Sequence, residues 1–267
     1  MSYNLDGFGY RDRDGQGQPD DFKPEEAVRA VVNIIAAARP HVLALQEIGD
    51  EASLQLLQKK LNEAGVAYAH ADLVTAADRE TRLALLSQRP IIQRQAITNL
   101  AYSIREDEWP VQRGFQRVDV DAGSGKIVRI INVHLKSKTF HPAGQTEMRR
   151  NEARLLATHI RRLNREPDAH PVIVCGDFSD LLPSAALREL TEQPDDALVP
   201  LSITDVHRDD WTFYATEEAA YVRHDYFLVD ARWSPRWVGE KSGVLRDRQA
   251  ALASSHRPLI AVFNLRD

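Results

Sequence analysis

The stretch VIVCGDFSD, residues 172–180, joins an apolar run to an abrupt polar ending. Val172, Ile173 and Val174 have the β-branched density of a strand buried on both faces. Beyond Cys175 the chain presents Gly176, Asp177, Phe178 and Ser179. A core strand that ends by delivering a carboxylate is the pattern to look for in the rest of the chain, because strand ends in α/β folds carry residues that a rigid scaffold holds in place.

Working outward, apolar runs alternate with helix-like segments. PEEAVRAVVNIIAAAR (24–39) opens on Pro24 with Glu25 and Glu26 in the first turn, which suits a helix N-terminus. Its Val28, Val31, Val32 and Ile35 recur at helical spacing, and Arg39-Pro40 stops it. HVLALQEIG (41–49) reads as a strand, EASLQLLQKKLNEAG (51–65) as a helix closed by Gly65, and residues 145–163 as a long helix. RLALLS (82–87), PIIQRQAI (90–97), FQRVDVD (115–121), IVRIINVHL (127–135), HDYFLVD (224–230) and PLIAVFNL (258–265) read as strands, and PSAALREL holds a short helix. The tight AGSGK between two of these strands marks a hairpin, so the sheets are expected to be mixed, packed face to face with helices outside.

Composition sets the frame. The chain has 267 residues, 43% hydrophobic and 27% charged, enough for a sizeable core and a hydrated surface. A net charge of −5 argues against a broadly basic, sequence-blind nucleic-acid binder. Cys175 is the single cysteine, which rules out an intrachain disulfide and reads as core packing. No apolar run spans a bilayer, no signal peptide is recognisable, and one domain over 1–267 is expected, as a monomer. MSYNL reads as the later half of a strand, which raises the expectation of a removed leader; the compartment stays open.

The strand ends share one chemistry. Asn4 lies in SYNL, Glu47 ends VLALQE, His134, Lys136 and Ser137 follow IINV, Asp225 opens the strand near 224–230, and Ser255 and His256 precede the last strand. Glu47 and Asp177 are hard oxygen donors suited to Mg²⁺, Mn²⁺ or Ca²⁺. His256 with Asp225 forms a general base whose tautomer a carboxylate fixes, and His134 and Asn4 can donate to a phosphoryl oxygen. Together they suit metal-assisted attack of water on a phosphoester.

In order and spacing, SYNL, LQE, LLSQRPI, NVHLKSK, GDFSD, RHDYFLV and SSHRPL resemble the signature blocks of the endonuclease/exonuclease/phosphatase superfamily, whose fold is shared by DNase I-like nucleases, neutral sphingomyelinases and inositol-phosphate phosphatases. The resemblance implies an α/β four-layer sandwich: two mixed, mainly antiparallel sheets face to face, flanked by helices, with the site at one rim. It implies Glu47 as metal ligand and His256, Asp225, Asp177, His134 and Asn4 as catalytic, and it puts Lys136 close to the site; Lys136, Ser179 and Ser255 are expected against substrate. The cofactor implied is Mg²⁺ or Mn²⁺, with Ca²⁺ as an alternative, and the partner is a phosphoester, nucleic acid foremost. Two positions depart from the blocks: Ser179 stands where asparagine is usual, and Ser255 where aspartate is usual. Those departures motivate two rival readings, a family member that binds a phosphorylated ligand without turnover, and adaptation to Ca²⁺ or Mn²⁺.

DRDGQGQPDD (12–21) follows part of a calcium loop but places Lys23 where a bidentate glutamate is required, so it reads as a polar loop. Arg150, Arg154, Arg161 and Arg165 are interleaved with acids and read as a solvated helix face. Loops 6–23, 102–114 and 208–223, the last two bearing Trp109 and Trp211, are expected to set specificity.

Overall fold

The computed structural model describes residues 1–265. Twelve strands form two six-stranded sheets: β1 (Ser2–Phe8), β2 (Val42–Ile48), β3 (His70–Val74), β4 (Arg82–Ser87), β5 (Ile91–Ile97), β6 (Phe115–Asp121), β7 (Ile127–His134), β8 (Val172–Asp177), β9 (Val199–Pro200), β10 (Asp225–Val229), β11 (Gly243–Val244) and β12 (Leu259–Ile260). The first sheet runs β11-β12-β1-β2-β4-β3 and the second β9-β10-β8-β7-β6-β5. Each contains one parallel pair, β1 with β2 and β7 with β8, and the remaining pairings are antiparallel.

Parallel neighbours require a crossover, and a helix supplies each one. Helix α1 (Glu25–Ala38) joins β1 to β2, and α3 (Gln145–Asn164) joins β7 to β8. Helix α2 (Glu51–Glu63) follows β2; its N-cap Asp50 accepts from the Ser53 N–H at 2.9 Å, worth about 1 kcal/mol. Short helices α4 (Ala185–Thr191) and α5 (Ala250–Ala253) complete the outer layers. Among the described residues no helix is long and apolar enough to cross a membrane.

Three apolar layers follow from the strand period of two. Tyr3, Leu5, Leu43 and Leu45 point outward onto Val28, Ile35, Leu54 and Leu57 of the first helical layer. Ile131, Val133, Val172 and Val174 point outward onto Met148, Leu156 and Ile160 of α3. Ala44, Leu85, Val118, Ile130, Ile173, Cys175 and Phe227 fill the space between the sheets. This is the expected four-layer sandwich. Burial pushes the Cys175 thiol up to about 12, consistent with a packing residue.

The last strand departs from its expected span. Only Leu259 and Ile260 pair within the sheet, and the chain then makes an isolated bridge between Trp237 and Phe263. The 12–21 loop is closed at its base by a short ribbon, Tyr10–Arg11 against Asp21–Phe22. Its carboxylates cap local turns: Asp12 accepts from the Gly17 N–H, Asp14 from Gln16, and Asp21 from Arg13 and Asp14.

Candidate active site

The inner faces of the central strands lead to the site. Ser2 and Asn4 of β1 share one face, as do Ala44 and Gln46 of β2, Ile130, Asn132 and His134 of β7, Ile173, Cys175 and Asp177 of β8, and Phe227 and Asp225 of β10. Each row is apolar or neutral at depth, and three of the five end in an ionisable group at the rim. Between these zones lies a buried amide network: Gln46 Nε2 donates to Asn132 Oδ1 at 2.6 Å, and Asn132 Nδ2 donates to Gln116 Oε1 at 3.0 Å and to the Leu45 carbonyl at 2.9 Å. These bonds tie the two sheets together just beneath the site.

Glu47 breaks the alternation. Strict period two would send it outward with Leu45, onto the helices. Instead its φ is +60°, and the pairing of β2 shifts between Gln46 and Ile48. The extra residue lets Leu45 and Ile48 both pack outward while Glu47 turns to the rim. A matching irregularity in β1 between Asn4 and Phe8 carries Asp6 at φ +49° and Gly7 at φ +75°. Lys23 braces it, donating from Nζ to the carbonyls of Leu5 (3.0 Å) and Asp6 (3.2 Å).

Six of the residues singled out in the sequence converge. Asn4 Nδ2 donates to Asp177 Oδ2 at 2.9 Å and to Glu47 Oε1 at 3.2 Å. His134 Nε2 lies 3.4 Å from Asp177 Oδ2 and 3.8 Å from Glu47 Oε1. Asp225 Oδ2 is 2.8 Å from His256 Nδ1, and His256 Nε2 is 3.7 Å from Asp177 Oδ2. Asp177 and Asp225 are register partners on adjacent strands, which explains how residues far apart in sequence share one pocket.

Ser179 supports Asp177 from behind: its backbone N–H donates to Asp177 Oδ1 at 2.7 Å and its hydroxyl lies 3.1 Å from the same oxygen. Ser255 meets the site region through its backbone, the N–H donating to Asp6 Oδ2 at 3.3 Å. Lys136 extends Nζ to Ser137 Oγ at 3.4 Å and stands outside the cluster of contacts.

Electrostatics divides the two histidines. Burial lowers the basicity of His256, but the carboxylates of Asp225, Asp177 and Glu47 outweigh it and raise its pKa to about 9. His134 goes the other way: burial, reinforced by the charge of Arg113, takes it well below its ordinary range, so it is neutral at physiological pH. Glu47 is buried, yet Arg11 and Arg113 hold its carboxyl below the usual value and keep it ionised.

Three neighbours of the site, none singled out individually in the sequence, come one from each of the loops 6–23, 102–114 and 208–223. Arg11 Nη2 lies 2.5 Å from Glu47 Oε2. Arg113 reaches Thr81 Oγ1 at 2.9 Å, Asp78 Oδ2 at 3.4 Å and the Leu135 carbonyl at 3.3 Å. Phe213 sits between two imidazoles, its ring centroid 4.6 Å from His256 and 4.9 Å from His224.

Among the described residues, ligand atoms of Asp177, Asp225 and His256 lie within 4.8 Å of one another and form one group able to hold a metal ion. Asp225 and His256 already engage each other, so the donors left for a hard cation are Asp177 and, on the other side of Asn4, Glu47. Two ionisable oxygen donors bridged by one amide suit a cation of the Mg²⁺ type.

A sequence profile of the Endonuclease/Exonuclease/phosphatase family matches residues 1–247. The chain belongs to that family. Solved structures agree with the fold of the family. A double mutant of beta toxin from Staphylococcus aureus, solved with bound magnesium ions, superposes with a TM-score of 0.69 at 15% identity over 98% of each chain. Sphingomyelinase C from Streptomyces griseocarneus gives 0.67 at 19% identity over 98% of each chain. An endonuclease/exonuclease/phosphatase from Bacteroides vulgatus gives 0.67 at 17%, covering 98% of this chain and 97% of its own. No curated protein matches the sequence at significance.

Proposed function

We propose that the chain is a divalent-metal-dependent phosphodiesterase in which His256 is the general base. The observation that carries this is the Asp225–His256 contact at 2.8 Å with the free Nε2 turned toward Asp177, which in turn shares Asn4 with Glu47. Asp225 accepts from Nδ1–H, which fixes the tautomer and leaves Nε2 for the attacking water. Asp177 orients that water from the opposite side. Neutral His134 donates a hydrogen bond to a non-bridging oxygen as charge grows there, while the two N–H groups of Asn4 hold the Asp177 and Glu47 carboxylates in place. Glu47 and Asp177 would hold Mg²⁺ or Mn²⁺. Such an ion supplies positive charge against the phosphoryl group and offsets the carboxylate field that keeps His256 protonated.

Within this class, nucleic acid is the substrate we favour. Despite the net charge of −5, the charges of Arg11, Arg13 and Arg113 act on Glu47 at one side of the site, and that of Lys138 acts on His224 at the other. Arg11 and Arg113 are paired with Glu47 and Asp78, so exposed Arg13 and Lys138 are the positive charges a polyanionic strand would meet at the edges of the site. The test is hydrolysis of bis-p-nitrophenyl phosphate against p-nitrophenyl phosphate with EDTA, Mg²⁺, Mn²⁺ or Ca²⁺, followed by single- and double-stranded DNA and RNA. Metal-dependent turnover of the diester supports the reading. A folded protein that hydrolyses neither ester under any metal removes it and leaves the binding-only family member.

A further inference from the structure

Arg11 projects from the ribbon at the base of the 12–21 loop, and its contact with Glu47 has a shaped seat. Gly7 lies against the guanidinium with φ +75°, and a Cβ there would fall 2.5 Å from Arg11 Nε and 2.6 Å from Cζ. Glycine therefore serves twice, allowing the left-handed turn and leaving room for the planar group. The neighbouring Arg13 holds the same turn, its Nη2 donating to the Gly7 carbonyl at 2.6 Å.

The seat is fitted, and a single nitrogen of the guanidinium holds the carboxylate. Arg129, a structural arginine in the same molecule, grips Asp119 through both Nε (3.0 Å) and Nη2 (3.0 Å) and is 2% exposed. Arg11 holds Glu47 through Nη2, keeps a buried Nε with no hydrogen-bond partner, and has a side chain 23% exposed. Glu47 takes one of the five N–H donors, and the partly exposed side chain leaves the guanidinium a way out toward solvent. It occupies Glu47 Oε2, while Asn4 occupies Oε1. A dication bound to Glu47 would share one carboxylate with a guanidinium, two positive groups a few ångströms apart and both largely shielded from solvent.

We propose that Arg11 and the divalent ion are alternative occupants of Glu47, with the guanidinium leaving Oε2 when a metal ion enters. The idea rests on the metal-dependent reading above. Arg11 is then a positioning residue: it keeps Glu47 ionised and aimed at the rim in the metal-free protein, and it sets the metal concentration at which the site fills.

The test is Mn²⁺ binding to the full chain followed by electron paramagnetic resonance, which needs no substrate, for wild type, Arg11→Met, Arg11→Lys and Glu47→Gln. Arg11→Met should bind Mn²⁺ about tenfold more tightly than wild type, Arg11→Lys should stay near wild type, and Glu47→Gln should lose the site. In EDTA, Arg11→Met should melt below wild type, with the gap closing as Mn²⁺ is added. Equal or weaker binding by Arg11→Met overturns the proposal, and if its KM for a diester also rises, Arg11 is a phosphate anchor instead. Should Arg11→Met not fold, Arg11→Gln removes the same charge. Absence of Glu47-dependent Mn²⁺ binding in every variant overturns it as well. The hydrolase reading fails separately, on diester turnover by wild type.

Discussion

Asp225 Oδ2 and His256 Nδ1 lie 2.8 Å apart, with both residues buried and the ring backed by Phe213. The contact leaves Nε2 as the one ring nitrogen facing the cluster around Asp177. A histidine held for packing alone would have no use for a carboxylate on one nitrogen and a second carboxylate 3.7 Å from the other.

His256→Ala should lower kcat on bis-p-nitrophenyl phosphate by about 10²–10⁴-fold while changing KM only a few-fold. Asp225→Asn keeps the shape but removes the charge, and should lower kcat by a smaller factor. Steady-state kinetics at saturating Mn²⁺ checks both. An Asp225→Asn enzyme with wild-type kcat would mean that Asp225 only anchors the strand end.

Gly176 is the position in β8 that cannot carry a side chain. Its φ is +141°, and a Cβ would lie 1.9 Å from the Val133 carbonyl oxygen on the parallel neighbour β7. The residue before Asp177 must therefore be glycine if β7 and β8 are to stay paired where His134 and Asp177 meet. Gly176→Ala should cost about 3 kcal/mol or more, read by urea denaturation, and should lower activity by displacing Asp177.

The rim residues were legible because each ends an apolar run whose alternation survives in the fold: Ile130, Asn132 and His134 in one strand, Ile173, Cys175 and Asp177 in the next. Sheet order was not legible, since Ser2 pairs with Leu259 and Asp177 with Asp225 across distances that local pattern cannot register. Glu47 was found by its block, yet its orientation depends on a bulge that apolar periodicity would contradict. Arg11 and Arg113 were missed because a long side chain reaches the site from loops whose sequence carries no period. Lys136 and Ser255, expected against substrate, make contacts at the margin of the site.

Asn132 joins the sheets, and no apolar residue can replace its bonds. Asn132→Leu has similar volume but would leave Gln116 Oε1 without its 3.0 Å donor and Gln46 Nε2 without its 2.6 Å acceptor. Stability should fall by about 2–4 kcal/mol, measured by chemical denaturation. A neutral result would mean that water enters between the sheets to replace the amide.

Glu152 gives the stability of the chain a readable pH dependence. It is buried on α3 and accepts from the Lys136 N–H at 2.6 Å and the Gln112 N–H at 3.4 Å, holding two loops beside the site. Burial pushes its carboxyl up to about 7, against the opposing pull of those N–H groups and of Arg113. The folded state thus prefers the protonated form. Its contribution to stability is complete below about pH 4.5 and is lost as pH rises through about 7, a change of about 3 kcal/mol. His134, His159 and His224, which burial lowers, act in the opposite sense as pH falls from about 6.5, and His256, raised to about 9, adds its own loss as pH rises, so the wild-type curve alone mixes several groups. Glu152→Gln keeps a carbonyl oxygen for the Lys136 N–H and removes the titration. Unfolding free energies of wild type and Glu152→Gln, taken from pH 4.5 to 8.5, should separate by about 3 kcal/mol across that range, wild type losing ground as pH rises. Parallel curves would mean that Glu152 stays ionised throughout, with the two backbone N–H groups and Arg113 outweighing its burial.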